Sequence, residues 1–238
     1  MRKLVASLCL AGGIAAAGAQ PAAATNECRG LLICVPVAGP WVAVPAGLAV
    51  PRARVDFQLS CPRRYAIGGL DAELGDRAID IGFVGKVGGP VGPGVTTGRA
   101  AVFAATYVGA SARAPSFRPH LGCIPPSGGG GGPVPYRRVA AAAAFPPGEP
   151  TVRRVRNFRL RPGAMTVFAA CGAGERLVSG WHAVGFFTLG PPDATLLRSV
   201  RAARAVRGGR VAVRVVAGPA AGQVRTIVQV GAVCAGGR

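Results

Sequence analysis

Cys61 and Cys123 stand 62 residues apart, and Cys171 and Cys234 stand 63 apart. Each span frames the same landmarks in the same order. "LSCPRRYAIGGLDA" (59–72) opens the first and "AACGAGERLVSGWHA" (169–183) the second: a cysteine, a short apolar run, then a glycine, Gly69 or Gly180. Further on, "GRAAV" (98–102) answers "GRVAV" (209–213), and Gly98 and Gly209 each precede the closing cysteine by 25 residues. Such agreement predicts an internal duplication. A duplicated unit carries a duplicated bridge, which selects Cys61–Cys123 and Cys171–Cys234 from the many pairings open to a set of cysteines and leaves Cys28–Cys34 as a local loop. Alternation agrees. Val55, Phe57, Leu59 and Cys61 share one strand face, as do Met165, Val167, Ala169 and Cys171, and Val228, Val230, Ala232 and Cys234. The sulfurs of the long bridges then point into a core and meet between sheets.

The first 24 residues read as a secretory leader. Arg2 and Lys3 precede an apolar centre from Leu4 to Ala16, and small residues offer cleavage after Ala19 or, preferably, Ala24. The apolar run is too short and too rich in glycine for a spanning helix, and no later stretch is long and apolar enough for one. Cleavage removes Cys9 and leaves six cysteines, an even number suited to an oxidising compartment. Between the two units, "SGGGGGPVP" (127–135) and the alanine- and proline-rich chain up to Pro150 read as a linker, flexible first and stiffer later. The expected organisation is a leader at 1–24, a first domain at 25–126, a linker at 127–150 and a second domain at 151–238.

Short β-branched runs such as "TVFAAC", "RVAVRVVA" and "TIVQVGAVC" predict strands. Gly208–Gly209 predicts a two-residue hairpin turn that sets Val206 against Val211. The stretch 193–207 also fits a helix capped by Asp193; the strand-like surroundings favour the hairpin. The fold class is therefore all-β: two disulfide-stapled, β-sandwich-like domains. A domain this poor in aromatic residues gains from a staple.

The chain carries 28 Lys and Arg against 9 Asp and Glu. Loss of Arg2 and Lys3 with the leader leaves 26 minus 9, or +17. That charge attracts anionic partners such as a cell-wall polymer, although codon usage in GC-rich genomes also favours arginine. Arg137, Arg138, Arg153, Arg154, Arg156, Arg159 and Arg161 form a basic run, interrupted by Glu149, that is the expected polyanion contact. Few aromatic residues interleave with it, which argues against specific nucleic-acid recognition.

Four acids crowd into "LDAELGDRAID" (70–80). A hairpin turning at Gly75–Asp76 sets Asp71 across from Asp80, with Glu73 one pair along. Like charges facing each other are unfavourable, so a hard cation, Ca²⁺, is one candidate to offset them and nearby arginines are another. Catalytic signatures are absent. His120 lies three residues before Cys123, but pairing of that cysteine removes the thiol. Neither His120 nor His182 belongs to a zinc-ligand cluster, and no GxSxG or phosphate-binding loop occurs. Trp181 reads as core.

The cysteine-to-glycine opening, the closing cysteine and the duplication resemble secreted proteins of high-GC bacteria whose units begin Cys-Pro-x-Gly. The first unit has Cys61-Pro62 with Arg64 in place of glycine, and the second has Gly174 with Gly172 in place of proline. The resemblance implies a stapled β-fold and brings no catalytic residues. The expected function is that of a secreted, non-catalytic binding or structural module near the cell envelope. A Ca²⁺- or glycan-dependent adhesion module comes second and an envelope hydrolase last.

Overall fold

The computed structural model describes residues 25–46, 51–84, 98–110, 115–125 and 151–236. The leader and the whole of the linker, including Arg137 and Arg138, lie outside them. The short β-branched runs form strands arranged in three antiparallel sheets, one of them curled into a half-barrel.

The largest sheet has seven strands. β1 (Val35–Ala38), β2 (Trp41–Ala43), β4 (Ala66–Leu74), β7 (Ser116–Ile124), β8 (Thr151–Arg159), β10 (Glu175–Phe187) and β13 (Arg225–Gly236) are joined in the order β1-β7-β2-β10-β13-β8, with β4 also on β7. Two three-stranded sheets pack against it. One holds β3 (Arg54–Ser60), β6 (Ala100–Tyr107) and β5 (Ile79–Val84) in the order β3-β6-β5. The other holds β9 (Gly163–Ala170), β12 (Arg210–Ala217) and β11 (Val200–Arg207) in the order β11-β12-β9. β2 pairs with β7 through Val42–Phe117 and with β10 through Phe186–Trp41, so strands from both sides of the linker share one sheet.

Two cores result. Phe57, Phe103, Phe117, Leu121 and Ile79 fill the first, between β3-β6-β5 and the β4–β7 end of the large sheet. Val211, Val213, Val215, Val228 and Val230 fill the second, between β11-β12-β9 and the β10–β13 end. Ile227 and Ala183 belong to the first core while Val228 and Val230 belong to the second, so β13 is buried on both faces along nearly its whole length. That double burial explains its near-continuous apolar composition.

Disulfides join Cys28–Cys34, Cys61–Cys123 and Cys171–Cys234, the pairing that the spacing predicts. Each long bridge fastens a three-stranded sheet to the seven-stranded one, because Cys61 and Cys171 follow β3 and β9 while Cys123 and Cys234 lie in β7 and β13.

The stretch 193–207 takes both forms that its sequence allows. Asp193 caps a single helical turn, α1 (Ala194–Arg198), accepting from the Leu196 N–H at 2.7 Å. The chain then continues as β11 and turns at Gly208–Gly209, both at positive φ, to set Val206 against Val211. Gly69 and Gly180, the glycines that follow the short apolar runs, do not interrupt the chain's extension; each lies inside a strand, in β4 and β10. A Cβ on Gly69 or on Gly122 would lie 1.9 or 2.0 Å from the Glu27 carbonyl oxygen, so the absence of side chains there lets the N-terminal segment seat on the sheet. Trp181 is core, as read, and is 7% exposed.

Candidate anion-binding surface

The acidic hairpin expected at Gly75–Asp76 does not form. β4 pairs with β7, which sets Asp71 across from His120 and Glu73 across from Arg118; β5 pairs with β6, which sets Asp80 across from Thr106. Asp76 instead secures the crossing between sheets. Its Oδ1 accepts from the Ala78 N–H at 2.8 Å and its Oδ2 from the Tyr107 hydroxyl at 3.2 Å. The reason is non-local: β4 takes β7, which carries Cys123 to Cys61, as its partner, while β5 is taken into the other sheet by β6. Asp71, Glu73 and Asp80 therefore do not converge as a calcium set. Among the described residues, the donor atoms that do converge are those of Cys171, Glu175 and Cys234, and both of these cysteines are bonded to each other.

One of these acids, Glu73, joins Glu27 in flanking a histidine. His120 is 5% exposed, with Nδ1 3.7 Å from Glu27 Oε1 and Nε2 3.2 Å from Glu73 Oε1. Asp71 Oδ2 accepts from the Asn26 N–H at 2.6 Å. These contacts hold residues 26–28 against β4 and β7. Cys123 is bonded to Cys61, so His120 has no thiol partner at that position.

The basic run divides. Arg153, Arg154, Arg156 and Arg159 lie on β8, an edge strand of the large sheet, and Arg161 follows it. Cationic edges discourage pairing with another chain, a structural use of such residues. Arg154 is committed to Glu175, which it grips with two guanidinium nitrogens, Nε standing 2.6 Å from Oε2. Those side-chain bonds, and after them the Gly172 N–H at 2.6 Å, hold the Glu175 carboxyl at about 2. Arg156 covers the ring of Phe158, its Cζ 5.3 Å from the centroid.

A denser cationic face lies elsewhere. Val211, Val213 and Val215 point into the second core, so the alternate residues of β12 face outward. The register then gathers Arg210 and Arg214 of β12 with Arg201 and Arg207 of β11 on one exposed surface, with Phe168 of β9 beside them. The rest of that face is alanine, threonine and valine, with no acidic residue. Arg207 stands directly across from Arg210, a like-charge pairing that is unfavourable until an anion offsets it. Phe168 is 40% exposed, with the Arg210 Cζ 5.4 Å from its ring centroid. Among the described residues, no ion pair takes up any of these four arginines. From Arg201 to Arg207 the strand rises about 20 Å, the scale of several repeats of a charged polymer. The signal was present in the sequence as Arg201 and Arg207, six residues apart before Gly208–Gly209, and Arg210 and Arg214, four apart after it. It becomes readable only when the turn fixes the register.

His182 lies on β10 beside β11. Burial, and then the Arg204 charge, depress its pKa below the usual imidazole value, against the opposing effect of a backbone hydrogen bond to Ala202. With the folded pKa below the unfolded one, near 6.5, the unfolded chain binds more protons, so stability is full above that value and falls as pH drops below it. The melting temperature of the protein is expected to fall from pH 7 to pH 5 more steeply than that of His182→Gln. Parallel curves for the two would show that His182 contributes nothing to acid sensitivity.

No protein-family model, curated protein or solved structure matched this chain in comparisons with all three.

Proposed function

We propose that the protein is a secreted, non-catalytic module that holds an anionic polymer of the cell envelope on the outer face of β9, β12 and β11. The observation that carries this reading is the set of four unpaired arginines, Arg201, Arg207, Arg210 and Arg214, on one acid-free surface. Phosphate-bearing chains bind such arrays with release of counterions, which makes affinity fall steeply with salt. Arginine suits the task because its planar fork grips two oxygens at once. Secretion is supported by the leader-like first residues and by three disulfides, which belong to an oxidising compartment. No helix among the described residues is long and apolar enough to cross a membrane.

Internal duplication is part of the same reading. β3 to β7 and β9 to β13 follow one plan: the first, third and fourth strands make a three-stranded sheet in the same order, while the second pairs with the fifth. The bridge runs from the end of the first strand to the fifth in both. The charge has diverged between the copies, since the arginine face belongs to the second one alone.

The test is binding of the oxidised protein to purified, phosphate-bearing wall polymer between about 50 and 200 mM salt, where phosphate contacts lose orders of magnitude in affinity. The double variant Arg210→Glu/Arg214→Glu is expected to weaken binding at low salt and to reduce the slope of log K against log salt by about 2. Unchanged affinity and slope in this variant would overturn the assignment of the surface. Failure of the parent protein to bind at low salt would overturn the function.

A further inference from the structure

A second site, independent of the arginine face, opens at the junction of the two halves. β10 pairs with β2 only through Gly185 and Phe186, and beside its unpaired stretch lies a cleft of about 450 Å³. Val44, Val55 and Ala183, each buried, give it apolar walls. Its polar lining consists of Arg54, Arg204, Trp181 and His182, without a carboxylate. Arginine is a donor only, whereas a neutral imidazole that donates one N–H to the Ala202 backbone keeps its other nitrogen as an acceptor. The Trp181 Nε1 has no accessible surface, so the indole contributes ring surface to the cleft. What the lining does lack is a negative charge to answer its two guanidinium groups. Asp56 takes the Nε of Arg54 at 2.7 Å, leaving the two terminal nitrogens of that guanidinium. Arg204 reaches the Gly180 carbonyl and projects from the side of β11 opposite to Arg201 and Arg207.

We propose that this cleft binds a small carboxylate with an apolar body. The carboxylate accepts from Arg204 and Arg54, and the body lies on Val44, Val55 and Ala183 beside the Trp181 ring. An apolar cavity with a few convergent polar groups is the usual form of a small-molecule site. Two guanidinium groups at an apolar cleft favour an anion over a neutral analogue, because charge-assisted bonds are about twice as strong as neutral ones. The inference does not rest on the polymer-binding surface.

The experiment is a titration of the oxidised protein with sodium decanoate, followed by calorimetry and by the indole N–H resonances of its 2 tryptophans. Saturable binding to one site is expected, with the Trp181 resonance moving and that of Trp41 staying. Decanol is expected to bind at least about tenfold more weakly, and Arg204→Gln to weaken decanoate by about tenfold, the loss of one charge-assisted bond. Arg54→Gln serves the same purpose should Arg204→Gln fail to fold. The Arg210→Glu/Arg214→Glu variant is expected to bind decanoate as the parent does. The proposal is overturned by the absence of saturable binding, by equal affinity for decanol, or by decanoate binding that is lost with Arg210 and Arg214 and kept in Arg204→Gln.

Discussion

Replacing Cys171 and Cys234 together with alanine is expected to lower the unfolding free energy by about 4 kcal/mol, the chain-entropy value for a bridge of this span. The bridge closes 63 residues. The local Cys28–Cys34 loop closes only 6 and by the same relation contributes about 2 kcal/mol, which ranks the long bridges first. Geometry points the same way. Cys234 is fully buried in the second core and is held to the residue that follows β9, so the bridge fastens the arginine-bearing sheet to the large one. Alanine in its place also leaves a gap in the second core. Equilibrium denaturation in urea reads the difference; a loss below about 1 kcal/mol would mean that sheet packing alone sets the stability of the second half.

The second large effect is expected at Gln229, a polar residue 1% exposed between the two cores. Its Oε1 accepts from the Gln58 N–H at 2.6 Å, and its Nε2 donates to the Gln58 carbonyl at 2.9 Å and to Asn157 Oδ1 at 3.0 Å. The side-chain amide thus imitates one more strand residue for β3, which has β6 on its other edge. Gln229→Leu keeps the volume and removes all three bonds, leaving the Gln58 backbone groups unpartnered in a partly buried place. Each orphaned group costs about 1–3 kcal/mol, so a total near 3 kcal/mol is expected. The variant should also loosen the joint between the halves, with calorimetry resolving two transitions. One sharp transition with a loss below about 1 kcal/mol would show that Gln229 is dispensable to the joint.

Several features of this fold were legible because they depend on residues close in sequence. Gly208–Gly209 specifies a two-residue turn, so Val206 meets Val211 whatever surrounds them. Asp193 specifies a cap and obtains its turn of helix, and strand propensity resumes directly afterwards at Val200. The alternation of Val211, Val213 and Val215 specifies a buried face and, by subtraction, an exposed one. The arginine surface was missed at that last step, because the basic run at 153–161 drew attention by its density in sequence rather than in space. Part of that run protects a sheet edge, and Arg154 is bound to Glu175.

The acidic stretch failed for a different reason. Asp71 and Asp80 are nine positions apart, a separation that suits a hairpin, and the turn residues between them are permissive. Pairing energy is decided by the whole edge of a strand. β7 offers β4 a partner along eight registered positions and brings Cys123 to Cys61, and a short local hairpin offers neither.

By itself the sequence determined the all-β class, the three disulfides and the turns, because cysteine spacing, alternation and glycine placement act through covalent geometry and local backbone preference. Tertiary structure alone decided which strands share a sheet, why Gln229 is buried, where the arginines gather and that a cleft opens beside Trp181. These follow from register and packing between segments far apart in the chain, and only the folded molecule brings those segments together.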